Sequence, residues 1–423
     1  MYKKIASHEA SKAEANSVLL LYSGGLDTSV MLKWIKDEYE ADVTTLTVNI
    51  GQIADFDEIK KKAENLHVKE AIVVDATEDF AKNYITKAIK ANASYQGNYH
   101  LFCPIGRAII SKIAVQIAQE KNIKVIAHGC TGKGNDQVRF ESYITTLDPT
   151  LKTIAPVREW GMGRDEELAY AKKHGIPVPH TVDKPYSYDD NLWGCSAEGG
   201  EIEEIDQTPI LENILKVCKT PTSAPDMPQT IKISFKQGIP TAINGETMEL
   251  QSLIATLNKL GAEHGVGITH LIEDRMIGLK VRGVYEEPAA AILIEAHKNL
   301  EKLVSTKDEN DFKQIIDQKW ADLCYCAKWY EPLMQNLHAF IDQMSSKVTG
   351  EVKVKLYKGT VTVISASSPY SMFNKDMATF MKNDLFNQNA SAGFIELYSL
   401  AQRTAYNVGK KAQADMLKPD YRF

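Results

Sequence analysis

The sequence of 423 residues has no apolar run approaching the roughly 20 residues that cross a bilayer, so no membrane partner is expected. It has no excess of basic residues. Lys and Arg number 49 against 55 Asp and Glu, a net charge of −6, and proteins that neutralise a phosphate backbone carry the opposite sign. Nucleic acid is therefore not an expected partner. Cysteine is sparse: Cys103, Cys130, Cys195, Cys218, Cys324 and Cys326 form no C-x-x-C pair, and Cys324-x-Cys326 has no histidine beside it. No disulfide framework and no protein-held metal centre are expected. The first 16 residues are polar, carry Glu9 and Glu14 but no Arg, and lack the apolar core of a signal peptide. A cytoplasmic location is expected. No internal repeat or low-complexity tract stands out, and no Ser-His-Asp or Cys-His pairing announces a nucleophile.

What is present is ordinary globular composition, 44% hydrophobic and 25% charged, enough to bury a large core in two domains. The chain is organised around Val18-Leu19-Leu20-Leu21-Tyr22 and the turn Ser23-Gly24-Gly25-Leu26-Asp27-Thr28-Ser29. Five apolar or aromatic residues are too few for a helix and read as a buried parallel strand. Val30, Met31, Trp34 and Ile35 follow at helical spacing, which predicts a helix starting near Thr28 or Ser29. A strand that turns through glycines into a helix makes an anion site, because backbone N–H groups and the positive helix end converge there. Ser23, Thr28 and Ser29 add hydroxyls. Asp27 suits such a cradle where a metal ion bridges it to phosphates. The Lys of the mononucleotide loop is missing, since Asp27 precedes Thr28, and G-x-G-x-x-G is absent too. The S-G-G-x-D-T-S pattern resembles the pyrophosphate loop of the N-type ATP pyrophosphatases, which yield AMP and pyrophosphate.

Strands and helices then alternate. Asp42–Asn49 and Ala71–Asp75 read as strands, Asp55–Leu66 and Thr77–Ala91 as helices, Asn92–His100 as a polar loop, Ile105–Lys121 as a long helix after Pro104, and Val125–Ala127 as another strand. This predicts a doubly wound, Rossmann-like parallel sheet with ligands beyond the carboxyl ends of its strands, at Ser23–Ser29, Asn49–Gln52 and His128–Glu141. Proline clusters at 177–185, and a second domain is expected to begin there. In it, Ile231, Ile233 and Phe235 alternate, Gly238–Pro240 turns and Asn244-Gly245 marks a hairpin. Glu249–Leu260, Ala289–Leu303 and Asp308–Met344 read as helical. Glu351–Tyr357 and Thr360–Ser365 read as a hairpin, and Gly393–Leu417 as a late helix.

The loop His128-Gly-Cys-Thr-Gly-Lys-Gly-Asn-Asp-Gln-Val-Arg-Phe-Glu141 crowds Thr131, Lys133, Asn135, Asp136 and Arg139 into nine residues. That mixture suits an amino acid: a guanidinium for its carboxylate, and Asp136 and Asn135 for its ammonium. Together with the first loop it resembles the argininosuccinate synthase family. The likeness continues in Thr47–Gln52, in Tyr186–Trp193 with Ser196 and Glu198, and in Glu273–Arg275 through Lys280, Arg282–Glu286 and Pro288.

The resemblance implies a pyrophosphatase-type α/β nucleotide-binding domain (1–182), an α+β synthetase domain (183–388) and a C-terminal helical oligomerisation arm (389–423). The reaction it implies joins L-citrulline to L-aspartate through a citrullyl-adenylate, with ATP as substrate, Mg²⁺ in attendance and a homotetrameric assembly. It assigns Leu21, Tyr22, Ser23, Gly24, Gly25, Leu26, Asp27, Thr28, Ser29, Val48, Gly129, Thr131, Asp136 and Asp189 to ATP. Tyr99, Asn135, Arg139, Ser187, Ser196, Glu198, Glu273 and Tyr285 go to citrulline, and Thr131, Asn135 and Asp136 to aspartate. Asp27, Lys133 and Asp136 are the expected catalytic groups. One departure is visible: some members carry Gly-Thr-Ser after the Tyr99 position and use that Ser for citrulline, whereas this chain has Phe102-Cys103-Pro104. The alternatives are a paralogue that adenylates another ureido or amide substrate, a tRNA-thiolating relative, for which the basic surface is missing, and a non-catalytic nucleotide-binding regulator.

Overall fold

The computed structural model describes residues 5–177, 185–378 and 385–416. Met1–Tyr370 forms one compact unit and Ser371–Phe423 another. The expected domain boundary at 182/183, and Leu417 at the end of the expected late helix, lie outside the described residues.

The first sheet contains β1 (Ser17–Leu21), β2 (Asp42–Asn49), β3 (Glu70–Asp75), β4 (Val125–Ala127) and β5 (Lys152–Ile154). All pairs are parallel, in the order β3-β2-β1-β4-β5. The chain winds from β1 to one edge and then returns to the other side of β1, so a crevice opens beyond the carboxyl end of β1. Helices on both faces explain its unbroken apolar run: Leu19 enters one core, and Val18 and Leu20 enter the opposite one.

The later strands are β6 (Ser187–Asn191), β7 (Gly194–Glu198), β8 (Gln229–Lys236), β9 (Ile239–Ile243), β10 (Glu246–Thr247), β11 (Ile268–Asp274), β12 (Lys280–Glu286), β13 (Gly350–Tyr357) and β14 (Thr360–Ser367). They build two antiparallel sheets, β11-β12-β7-β6 and β10-β9-β8-β13-β14. The main core runs from Leu19 and Val48 of the first sheet to Ile231, Leu253, Ile292 and Trp320.

Several boundaries differ from expectation. The helix after the first loop begins at Leu26 rather than Thr28 or Ser29, because Gly25 is already its extended N-cap (φ −70, ψ 179). The long helix begins at Phe102, with Pro104 inside its first turn, where a missing N–H costs nothing. The second half of the His128–Glu141 loop is the helix Asp136–Leu147. Asp308–Met344 is two helices, Lys307–Tyr325 and Pro332–Met344, divided ahead of Pro332. Gly238–Pro240 turns, and β9 already begins at Ile239. The late helix is a pair, Ala390–Tyr398 and Leu400–Met416. In that C-terminal unit Phe394, Ile395, Leu397, Tyr398, Tyr406 and Val408 are exposed.

One glycine fastens the first sheet to the second. Gly51 has φ +94, and a Cβ there would lie 2.6 Å from the Leu192 Cβ and 2.9 Å from the Leu192 backbone nitrogen, just where Leu192 N–H donates to Ile50 O at 2.9 Å. Gly51→Ala is expected to cost about 2 kcal/mol or more in chemical denaturation. Unchanged stability would mean that the β6–β7 turn does not press on the end of β2.

Candidate active site

A cavity of about 760 Å³ opens at the carboxyl end of β1 and extends to β6, β7, β11 and β12. Its mouth is the Ser23–Ser29 loop. Gly24 has φ +77, and a side chain there would meet Ile59 Cγ1 at 2.9 Å, so only glycine fits. Ser23 Oγ and Thr28 Oγ1 lie 3.2 Å apart at the rim. Ser29 turns inward instead, donating to Gly25 O at 2.7 Å and meeting the Tyr22 hydroxyl at 3.1 Å. Lys62 reaches back to donate to Gly24 O at 2.7 Å, which fixes the loop from behind.

Of the expected residues, Leu21, Tyr22, Ser23, Gly25, Leu26, Asp27, Thr28, Val48, Tyr99, Gly129, Thr131, Asn135, Asp136, Arg139, Ser187, Asp189, Ser196, Glu198, Glu273 and Tyr285 line this one cavity. Gly24, Ser29 and Lys133 do not line it. The Gly24 carbonyl is taken by Lys62 and the Ser29 hydroxyl is buried. Lys133 is exposed on its loop, where its carbonyl accepts from Arg275 at 3.3 Å.

At the centre of the cavity is an ion cluster that sequence reasoning found only in part. Asp136, the first residue of its helix, receives Arg107 Nε on Oδ2 and Arg139 Nη1 on Oδ1, each at 2.9 Å. Arg107 also donates to Asp189 Oδ2 at 2.5 Å and lies 5.7 Å over the Phe140 ring. Burial pushes the Asp136 carboxyl up, but the guanidiniums of Arg107 and Arg139 outweigh it and hold the group well below the usual carboxylate range. Two carboxylates and two guanidiniums balance in charge, so the cluster is paired without a ligand. Arg107 had no local signal: its partners are 29 and 82 residues away along the chain. Cys103 was likewise missed as a wall residue; its Sγ lies 3.5 Å from Asp136 Oδ1. Burial pushes both the Cys103 and Cys130 thiols up, which argues against either as a nucleophile.

The far end is built by the second sheet. Glu273 Oε2 accepts from the Tyr285 hydroxyl at 2.9 Å. Asn135 bridges the sheets: its amide donates to Tyr325 OH at 2.7 Å, and its oxygen accepts Met276 N–H at 2.9 Å. Arg139 is nearly fully buried and gives two further hydrogen bonds to Tyr325 O, each 3.3 Å. Tyr325 was not foreseen, because it sits at the end of an otherwise ordinary helix. Glu198 pairs with Arg275 at 2.8 Å, and burial raises the Glu198 carboxyl.

Behind the second loop, Glu141 meets His8 Nε2 at 2.6 Å, His128 Nε2 at 2.9 Å and Arg158 Nη2 at 2.7 Å. The His128 Nδ1 accepts Cys130 N–H at 3.3 Å, so we assign the proton to Nε2, donated to Glu141. This chain of contacts shapes the Gly129–Thr131 backbone.

A parallel nucleotide-type sheet with a glycine-rich loop at its switch point, opening into a cavity lined by paired carboxylates and guanidiniums, is the arrangement of a nucleotide-using enzyme of the HUP class. Residues 17–177 match the family described as the arginosuccinate synthase N-terminal HUP domain, and residues 186–405 match the arginosuccinate synthase C-terminal domain. The argininosuccinate synthase of Rubrobacter xylanophilus is 46% identical over 91% of this chain and 94% of its own length. That of Caldanaerobacter subterraneus is 45% identical over 94% of this chain and 98% of its own length, and that of Pyrococcus furiosus 46% identical over 92% and 94%. The chain belongs to the argininosuccinate synthase family. It is a C–N bond-forming ligase, and its reaction joins citrulline to aspartate at the expense of ATP, releasing AMP and pyrophosphate.

Glu141 gives a pH prediction. Burial opposes its charge, but the hydrogen bond from His128, the Arg158 guanidinium and the contact with His8 hold its carboxyl at about 2. A depressed pKa stabilises the fold above the unfolded value near 4.5, and that contribution fades as pH falls towards 2. Glu141→Gln is expected to lose about 3 kcal/mol at neutral pH and to flatten the acid limb of unfolding free energy between pH ~5 and ~2. An acid limb as steep as that of the unsubstituted protein would contradict the assignment.

Proposed function

We propose that the cavity divides its three substrates as follows. The triphosphate lies on Ser23, Gly25, Leu26, Asp27 and Thr28, in a loop whose shape Gly24 and Ser29 set from behind, with Leu21, Tyr22 and Val48 on the adenosine side and Gly129, Thr131, Asp136 and Asp189 towards the α phosphate. Citrulline occupies the end lined by Tyr99, Asn135, Arg139, Ser187, Ser196, Glu198, Glu273 and Tyr285. Aspartate enters by Thr131, Asn135 and Asp136. The observation that carries this reading is the single cavity that runs from the glycine loop past Asp136 to Arg139 and Glu273.

The chemistry suits such a site. A ureido carbon is a poor electrophile because two nitrogens donate into it. Its oxygen attacks the α phosphorus and pyrophosphate leaves. The aspartate amine then attacks the activated carbon and AMP departs with the ureido oxygen. Positioning and charge stabilisation do the work here, and no strong base is needed. Arg107 is the group placed to follow the charge: an incoming α phosphate competes with Asp189 and Asp136 for its guanidinium. Arg139 holds the citrulline carboxylate by turning its Asp136-facing edge to it, which frees Asp136 for the aspartate ammonium.

Mg²⁺ is a hard ion that takes oxygen ligands and phosphates. The donor set at Asp27 with the Ser23 and Thr28 hydroxyls fits it. The cluster of Cys103, Asp136 and Asp189 does not, since Arg107 already fills the space between the carboxylates and one donor is a protonated thiol. Mg²⁺ at the loop would screen the β and γ phosphates of the leaving pyrophosphate. The exposed apolar side chains of the C-terminal unit support a homotetramer in which residues 389–423 clasp neighbouring subunits, beside domains at 1–182 and 183–388. The cytoplasm is the proposed location.

With ATP, citrulline and aspartate, the protein is expected to release pyrophosphate, and to do so only when citrulline is present. Orthophosphate, or citrulline-independent release, would contradict the reading. Arg139→Ala should raise the citrulline KM by roughly 100-fold through loss of a charge-assisted pair, with a smaller effect on ATP. An unchanged citrulline KM would place the carboxylate elsewhere.

A further inference from the structure

The helix Phe102–Glu120 starts without a cap of its own. Leu101, at its N-cap, lies in the left-handed region (φ 66, ψ 27) and offers no side-chain hydrogen bond. That conformation is unfavourable for a leucine and persists only where the surroundings impose it. Here the surroundings are side chains from other elements. The Oε2 of Glu287 accepts the His100 N–H at 2.9 Å, and its carboxyl is also stabilised by the Phe102 backbone amide. The Trp193 indole donates to His100 O at 2.9 Å, and the Asn191 amide donates to Phe102 O at 2.9 Å. Both residues that flank Leu101 therefore have their N–H and C=O groups engaged from outside.

Glu287 is itself an unusual group to find there. It is 1% exposed and precedes the helix Pro288–Val304. Its second oxygen, Oε1, is buried with no hydrogen-bond partner among the described residues. The space around it is full: a Cβ on Gly194 would lie 2.8 Å from Glu287 Cγ and 3.2 Å from Phe102 Cβ. Burial pushes its carboxyl up to about 8, partly opposed by the two amides. Keeping an expensive buried carboxyl with half its capacity unused makes sense where its acceptor function is required. Glu287 is not among the residues that line the cavity.

What the turn aims is the cavity wall. Tyr99, two residues before Leu101, packs on Tyr285 with ring centroids 4.7 Å apart. Cys103 and Arg107 follow at i and i+4 on one face of the helix, and both line the cavity. We propose that Glu287 is a positioning residue for the citrulline end of the site: by bridging the His100 and Phe102 amides it holds Leu101 in its left-handed turn, and so sets Tyr99 against Tyr285 and the first turn of the helix against Asp136. This rests on the reading that Tyr99 and Tyr285 face citrulline.

The function needs an acceptor and does not need a charge, which separates two variants. Glu287→Ala is expected to raise the citrulline KM by about tenfold while the ATP KM stays within about twofold, since small displacements of substrate-positioning groups are costly. Glu287→Gln keeps the oxygen that accepts the His100 amide and is expected to stay within about threefold of the unsubstituted enzyme. The proposal is overturned if Glu287→Ala leaves the citrulline KM unchanged, if it raises both KM values alike, or if Glu287→Gln is as impaired as Glu287→Ala. Should Glu287→Ala fail to fold, Trp193→Phe removes the indole donor to His100 O together with part of a buried ring; a citrulline KM raised about threefold with the ATP KM unchanged supports the clamp, and an unchanged citrulline KM or an equal rise in both rejects it. Citrulline-dependent pyrophosphate release by the unsubstituted enzyme tests the underlying reading separately, because the clamp fails only when that release is present and the variants show no split.

Discussion

A buried carboxylate between two guanidiniums organises this molecule. Asp136 sits at the start of a helix, takes Arg107 on one oxygen and Arg139 on the other, and through Arg107 reaches Asp189 in the second sheet. The Arg139 tie lies within one helix, whereas the two Arg107 ties join elements 29 and 82 residues apart. An uncompensated charge at this depth would be costly, and removing one partner of such a pair typically costs about 3–5 kcal/mol. Loop, helix and sheet must arrive together for the charges to balance, and the place where they balance is the middle of the cavity.

The same cluster is the part of the site with the most to exchange. Its charges cancel without a ligand, so on the proposed division of the cavity an anionic phosphate or a zwitterionic amino acid would enter by replacing a partner, not by filling a vacancy. The groups around it are less free. Asn135 has both ends of its amide engaged with Tyr325 and Met276. Glu141 keeps the His128 side of the second loop in place, and Glu287 with Trp193 and Asn191 keeps the Leu101 turn. A frame of hydrogen-bonded side chains surrounds a small set of ion pairs, the arrangement that positioning two substrates against one phosphorus would require.

Much of this was legible in the sequence, and the reasons it stopped being so are local. The strand before Ser23 and the loop after it are contiguous, so pattern alone places them, and β2, β3 and the β13–β14 hairpin follow from β-branched runs and turn residues. The loop at His128–Glu141 was found by its crowding of polar groups, although its second half is helix. β5 is three residues long, and the polar run Ser187-Tyr-Asp-Asp-Asn191 has no alternating apolar face, so neither was read as a strand. Arg107, Cys103 and Tyr325 belong to the site only through contacts made across the fold, and no spacing along the chain reports them. Glu287 was hidden for the same reason, since its partners lie 185 to 187 residues before it.

The central claim is that the ureido oxygen of citrulline becomes bonded to the α phosphorus within this cavity. Citrulline labelled with ¹⁸O in the ureido group, incubated with ATP and aspartate and followed by mass spectrometry of the nucleotide product, tests it most directly. The account predicts that the label appears in AMP and that pyrophosphate stays unlabelled. Unlabelled AMP formed alongside argininosuccinate would contradict it.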